Sequence, residues 1–178
     1  MCKPFATGFI LLVLSFGMLA SCSKSNDQRD FENEALRTPS GITETNANGE
    51  VVGEPDNDDW RISPMYRGLI SINSSGARLP YPNPLPYNQK ITIGLYLGSL
   101  ETLNRLEVYS FKDPNQLSGR IYNIEGLNPP GYEEITLSGS NISGSAGGSQ
   151  ADGLYRVLIY DGQQNLITYG DVQIGATQ

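Results

Sequence analysis

Short runs in which every second residue is apolar set the strongest limit on what this chain can fold into. Residues 91–97 read Ile-Thr-Ile-Gly-Leu-Tyr-Leu, which places four apolar side chains on one face of an extended strand. The same alternation recurs, less regularly, in six further segments, at 67–73, 105–111, 119–124, 132–138, 154–160 and 165–174. No segment outside the N-terminal leader has a convincing helical period, so the pattern predicts an all-β chain.

The spacing of these runs predicts a sandwich. The chain has Gly 20 and Pro 11, and many of these turn-forming residues fall between the alternating runs. About seven short strands over residues 59–178 favour an immunoglobulin-like antiparallel β-sandwich. A β-barrel is the competing architecture.

Proline occupies every second position in the segment 80–86. Because proline lacks the backbone N–H that a central strand donates, this segment is not a central strand. An exposed proline-rich ligand for another protein is one interpretation. Strand runs on both sides favour the other, which is an edge segment or a crossover between the first two strands.

The first 22 residues form a separate unit. Lys3 precedes an apolar stretch, 5–14, which is too short for a comfortable transmembrane helix and is typical of a signal peptide at 1–21. The segment ends Leu19-Ala20-Ser21-Cys22, which resembles the lipobox of bacterial lipoproteins. That resemblance implies lipidation of Cys22 and a membrane anchor on the mature N-terminus. An ordinary secretory signal with a chance cysteine is the alternative.

The segment 22–58 is predicted to be an acidic, disordered tether. Residues 23–58 contain nine acidic and three basic residues, with few large apolar side chains and no period. Such a composition buries too little apolar surface to offset the entropy of ordering. A flexible chain of this length spans roughly 33 Å.

The sandwich segment also resembles a known family of domains. The sequence "YPNP" at 81–84 leading into "KITIGLYL", and the closing "DGLYRVLIYDGQQNLITYGDVQI", resemble the C-terminal sorting domains of the type IX secretion system of Bacteroidetes. The immunoglobulin-like domain of the flagellar hook-capping family has a similar pattern. The resemblance implies a Bacteroidetes source and a location in the outer membrane. No cargo domain precedes this sandwich, so we expect the sandwich itself to be the payload.

Few residues are suited to catalysis or to metal binding. The chain has His 0, and Cys22 is the only cysteine after the leader. Nucleophilic catalysis through a histidine base is therefore excluded. Glu133 and Glu134 are adjacent, and adjacent strand residues point to opposite faces. The sequence predicts no enzyme, no cofactor and no metal, although 56–59 (Asp-Asn-Asp-Asp) has oxygens of the kind that bind calcium. The pI of about 4.5 argues against nucleic-acid binding.

Aromatic side chains are the remaining candidates for binding. The tyrosines outside the predicted core are Tyr66, Tyr81, Tyr87, Tyr96, Tyr109 and Tyr132. Together with Trp60 they could stack on sugars, although tyrosine is also a favoured strand residue. We select as candidate binding residues Trp60, Tyr81, Tyr87 and Tyr96.

The sequence supports two hypotheses for function. The first is a non-enzymatic outer-membrane lipoprotein, anchored through Cys22, that presents the sandwich for structural work or for binding an envelope protein. The second is a carbohydrate-binding surface lipoprotein. A protein of the type IX secretion pathway whose sandwich is removed as a sorting signal is a further alternative.

Overall fold

The computed structural model describes residues 24–72, 78–99 and 103–175. Two antiparallel sheets face each other, a five-stranded sheet in the order β1-β8-β7-β4-β5 and a three-stranded sheet in the order β2-β3-β6. The strands are β1 (Arg61–Ile62), β2 (Ile70–Ile72), β3 (Lys90–Leu97), β4 (Arg105–Phe111), β5 (Tyr122–Glu125), β6 (Gly131–Ser138), β7 (Gly153–Asp161) and β8 (Leu166–Ile174). The predicted antiparallel sandwich is confirmed, and each of the seven predicted runs contains a strand.

In the described residues, three short helices and one 3₁₀ turn accompany the sheets. The helices are α1 (Asn26–Ala35), α2 (Gly139–Ser143) and α3 (Gly148–Ala151), and the 3₁₀ turn is Pro64–Tyr66. Helices α2 and α3 lie between β6 and β7, in the Gly- and Ser-rich segment. Among the described residues no helix is long and apolar enough to cross a bilayer.

Alternating side chains build the core between the sheets. In β3 the residues Ile91, Ile93 and Leu95 are completely buried, and β7 contributes Val157 and Ile159 from the opposite sheet. In these strands every second side chain points into the space between the two sheets, as the period of two requires.

The proline-rich segment crosses from one sheet to the other. Tyr81 forms an antiparallel bridge to Thr92 in β3, and Leu85 forms a parallel bridge to Ile174 in β8. Leu85 is fully buried, and the Asn83 side chain donates to the Asp171 carbonyl at 2.9 Å. Of the two predicted forms, an edge segment or a crossover, the contacts match an edge segment that lies along both sheets, and the buried Leu85 belongs to the core of the fold.

The segment 24–58 differs from the flexible tether that its composition predicts. Ser25 caps α1 by accepting a hydrogen bond from the Gln28 backbone N–H at 3.2 Å. Phe31 and Ala35, one turn apart, pack on the outer face of the five-stranded sheet against Leu158 and Tyr169. The prediction fails because that outer face is itself apolar, so the helix gains enough buried surface to offset its ordering.

A buried arginine fixes the C-terminal end of α1 to the sheet. The Arg156 guanidinium donates two hydrogen bonds to the Asp171 carboxylate, at 2.6 and 2.8 Å. The same group donates through Nη1 to the carbonyls of Glu34, Ala35 and Arg37, at 3.0, 3.4 and 3.2 Å. Carbonyls at the end of a helix lack partners within the helix, so this arginine satisfies them and places positive charge where the helix dipole favours it.

Loops downstream of α1 continue this attachment. The Ser40 backbone N–H donates to the Asp171 carboxylate at 3.1 Å, and Thr45 forms bridges to both Val51 and Asn83. Segment 24–58 and the sandwich therefore form one folded unit. The leader at 1–21 and Cys22 lie outside the described residues.

Candidate binding surface

The outer face of the three-stranded sheet presents two exposed tyrosines side by side. Tyr96 of β3 and Tyr132 of β6 are direct partners in the strand register. They are 43% and 56% exposed, whereas their neighbours Leu95 and Leu97 point into the core. We call the surface formed by Tyr81, Tyr96, Tyr132, Gly94 and Glu134 the tyrosine face.

Gly94 shapes this surface. It lies between Thr92 and Tyr96 on the outward side of β3 and is paired with Glu134. The Tyr132 ring lies over Gly94 so closely that a Cβ at this position would collide with the ring. A glycine in a strand interior weakens the strand, so its place here is explained by the close approach of this ring.

The proline-rich segment and the turn at 46–50 close one side of the tyrosine face. Tyr81, half-buried, bridges to Thr92, the outward residue of β3 two positions before Gly94. Gly49, whose φ of +78° suits glycine, packs against the Tyr81 ring and the Arg78 side chain. The face therefore combines aromatic rings with a nearby cation, Arg78, and an exposed carboxylate, Glu134.

The Tyr132 hydroxyl stays protonated at neutral pH. Partial burial and the negative charge of Glu134 raise the pKa of Tyr132, while Arg78 opposes the shift. A protonated phenol both donates and accepts hydrogen bonds and keeps an uncharged ring. The ring can therefore pack against a protein surface or a sugar while the hydroxyl forms hydrogen bonds.

The structure brings together two of the four predicted binding residues, Tyr81 and Tyr96. Tyr87 lies elsewhere, because its hydroxyl donates to the Ser145 carbonyl at 2.9 Å and its ring packs beside Gly148. It connects the proline-rich segment to the loop between α2 and α3. Tyr132 completes the face; its pairing with Tyr96 depends on the strand register, which no local stretch of the sequence specifies.

Trp60 is a core residue in this structure. It is 4% exposed, and its indole lies against Gly170 of β8, where a Cβ would collide with the ring. Gly170 pairs in register with Val157, and the irregularity in this hairpin lies between Ile159 and Tyr160. The indole face of Trp60 is thus covered and not available to stack on a sugar.

The carboxylates considered for catalysis and for calcium binding do not form a shared site. Glu134 points outward, whereas Glu133 is paired with Leu95, so the two carboxylates lie on opposite faces as the alternation predicts. Asp56 accepts from the Asp58 backbone N–H at 2.9 Å, and Asp59 accepts from the backbone N–H groups of Thr43 and Asp171 at 2.6 and 2.7 Å. Within the described part of the chain, no cluster of three or more histidine, cysteine or carboxylate side chains is arranged to hold a metal.

A second aromatic feature lies on the outer face of the five-stranded sheet. Tyr109 and Tyr160 meet edge to face, with ring centroids 5.7 Å apart, and with Leu117 and Gln164 they line a groove of about 250 Å³. Burial raises the pKa of Tyr160 to about 12. This groove borders α1 and continues the apolar surface on which Phe31 packs.

Comparison with known proteins reveals only remote likeness. No protein-family model matches the sequence, and no curated protein matches it. Among solved structures, the sensor domain of the anti-sigma factor RsgI4 of Pseudobacteroides cellulosolvens is similar over 61% of this chain and 94% of that domain, with 9% identity and a TM-score of 0.39.

Two further structures are similar at the same level. T. fusca AA10A matches over 57% of this chain and 60% of its own, with 16% identity and a TM-score of 0.36. A lytic polysaccharide monooxygenase of Jonesia denitrificans matches over 87% of each chain, with 14% identity and a TM-score of 0.32.

Proposed function

We propose that this protein is a non-enzymatic outer-membrane lipoprotein, anchored through Cys22, that presents its sandwich as a module for binding a protein of the cell envelope. The tyrosine face carries the binding part of this proposal. Tyrosine is enriched in protein interfaces because its ring buries a large area at little entropic cost while its hydroxyl keeps a polar partner. Tyr96 and Tyr132 offer this combination on an otherwise regular sheet surface, at 43% and 56% exposure.

The anchoring part rests on the lipobox and on the short segment between it and the fold. Two acyl chains or more hold a protein stably at a membrane, where one chain binds only marginally. Helix α1 begins at Asn26, four positions after Cys22, and packs directly on the sandwich. The residues just beyond the cysteine are therefore already part of the folded domain, which favours an anchored domain over a removable sorting signal.

The absence of histidine and of a free thiol in the mature sequence supports a role without catalysis. The acidic pI of about 4.5 supports a partner other than nucleic acid. The proposed location in the outer membrane rests on the resemblance to the sorting domains of Bacteroidetes.

A photo-activated cross-linking amino acid at position 96 tests the binding surface in intact cells. We expect one cross-linked protein species from position 96 and none from position 117, because Leu117 is equally exposed, at 50%, but lies away from the tyrosine face. The same yield from both positions, or none from position 96, would contradict the proposal.

A carbohydrate ligand is the second candidate, and the grouping of Tyr81, Tyr96 and Tyr132 favours it. Affinity electrophoresis in gels that contain envelope polysaccharide distinguishes the two candidates. If a glycan is the ligand, migration is retarded, and the Tyr96→Thr/Tyr132→Thr variant loses the retardation while Leu117→Thr keeps it. Threonine is chosen because it retains a high preference for strands.

A further inference from the structure

The first described residues enter the fold almost immediately after the lipobox cysteine. The Lys24 ammonium pairs with the Glu32 carboxylate of α1 at 2.7 Å, and Ser25 caps the helix. Only two residue steps separate Cys22 from Lys24, a span of at most about 7 Å. A lipid on Cys22 is therefore held close to the first turn of α1.

That first turn lies at one end of the sandwich. The Gln28 side chain in this turn accepts a hydrogen bond from the Met65 backbone N–H at 3.1 Å. At the same end, Gly98 donates to the Leu69 carbonyl at 2.7 Å, and β7 turns into β8 after Asp161. We call this end, formed by 64–69, 98–99 and 161–165, the anchor end; α2 and α3 precede the start of β7 at the opposite end.

A small turn at the anchor end exposes apolar side chains on both sides of a basic one. Met65 and Leu69 are 42% and 40% exposed, and Arg67 between them is also exposed. Gly68, with φ +78°, provides the backbone conformation that bends this turn. Long cationic side chains that reach for phosphates while their apolar neighbours enter the acyl boundary are typical of contacts with a membrane interface.

We propose that the anchor end lies on the bilayer surface, with Met65 and Leu69 at the boundary between headgroups and acyl chains and Arg67 at the lipid phosphates. This inference rests on the proposed lipidation of Cys22. The acyl chains provide the affinity, and the turn at 65–69 fixes the orientation of the domain. The opposite end, with α2 and α3, then faces away from the membrane.

The charges around the turn indicate which lipids it requires. Asp27 and Asp30 line the same cleft as Arg67 and Arg61. The surface therefore has no excess of positive charge, and anionic lipid is not needed to hold it. We expect the same orientation on zwitterionic and on anionic vesicles, in contrast to a polybasic membrane contact.

Site-specific fluorescent labelling of the lipidated protein tests this orientation. In the lipidated protein the sulfur of Cys22 carries lipid, so a cysteine introduced by Met65→Cys, Leu69→Cys or Ser149→Cys is the only free thiol of the mature chain. Each variant is labelled with a polarity-sensitive dye and placed in phosphatidylethanolamine–phosphatidylcholine vesicles. Nitroxide-labelled lipid headgroups are then added as quencher.

We expect blue-shifted emission and quenching at positions 65 and 69, and neither effect at 149 near the opposite end. Equal signals at all three positions, or signals only at 149, would overturn the orientation. Intact-mass analysis of the same samples separates this outcome from failure of the anchor, because a chain without acyl groups on Cys22 refutes the proposed lipidation itself.

Discussion

At the scale of single residues, the pairing of Trp60 with Gly170 explains two features that look unrelated in the sequence. Trp60 has φ +55°, a conformation that costs a bulky residue about 1–2 kcal/mol. Removing a buried tryptophan costs about 3–5 kcal/mol, so the packing outweighs the backbone strain. The glycine that accepts the ring is 110 positions away in the sequence, which is why sequence reasoning placed Trp60 among the binding candidates.

Gly170→Ala tests this packing. The added methyl group collides with the indole ring, so we expect a loss of about 1–3 kcal/mol in the free energy of unfolding. The chain has Trp 1, so a red shift of its fluorescence reports displacement of this ring directly. Gly119→Ala is the matched control because nothing lies within 4 Å of the new Cβ; equal effects of the two substitutions in urea unfolding would refute the account.

Asp59 makes the stability of the folded state depend on pH. Burial raises the pKa of Asp59 from 3.8 to about 7, against the hydrogen bonds from the Asp171 and Thr43 backbone N–H groups. The folded state therefore keeps a proton that the unfolded chain releases near pH 4. The stability that this group contributes is fully present below pH 4 and is lost as the pH rises to about 7.

Thermal melting of Asp59→Asn between pH 4 and pH 8 checks this sign. The variant cannot release the proton, so we expect its melting temperature to rise relative to that of the unaltered protein as the pH increases through this window. Asp58→Asn is the control, since the Asp58 side chain is 67% exposed. Parallel melting curves for Asp59→Asn and the unaltered protein would contradict the shift.

At the scale of elements, the strands were predictable and α1 was not. The period of two in β3 and β6 identifies the buried face without any tertiary information. Residues 154–160 are apolar on both faces, through Val157 and Ile159 inward and Leu158 outward, and this pattern already indicates that a further element covers the sheet. One local signal marks the start of α1, since Ser25 and Gln28 have the spacing of a capping box, but this signal alone does not predict a helix in an acidic segment without an apolar period.

The acidic composition of 24–58 leads to the wrong prediction of a disordered tether, because the residues that stabilise this segment lie far from it in the sequence. Glu34 pairs with Arg61 at 2.7 Å, and the carbonyls at the end of α1 are held by Arg156. These contacts join residues 27 and 122 positions apart. Composition describes the segment alone, whereas its stability comes from the sheet on which it packs.

Arg156→Met tests whether this arginine holds α1. The change leaves the Asp171 carboxylate buried without its cation, at a cost of about 3–5 kcal/mol. Hydrogen exchange is expected to show lost protection in α1, with protection in β3 and β6 retained. Arg120→Met is the control, since Arg120 is 44% exposed and Arg105 remains beside Glu107; unchanged protection of α1 in Arg156→Met would show that Phe31 and Ala35 suffice.

At the scale of the whole molecule, the order of the segments defines the proposed role. The sandwich could be predicted from the sequence, and so could two members of the tyrosine face, Tyr81 and Tyr96. The grouping of these residues with Tyr132 and the position of the anchor end depend on strand register and on loops that meet in space. Both depend on contacts between segments that are distant in the sequence, which no single segment predicts.

Intact-mass analysis of the protein from its own membranes, with protease shaving of whole cells alongside, tests the central claim most directly. The account predicts a single acylated chain that begins at Cys22 and retains both segment 24–58 and the sandwich, while shaving assigns it to one side of the outer membrane. A lipidated stub together with a soluble domain cut near Pro80 would contradict it, because the sandwich would then be a removable sorting signal.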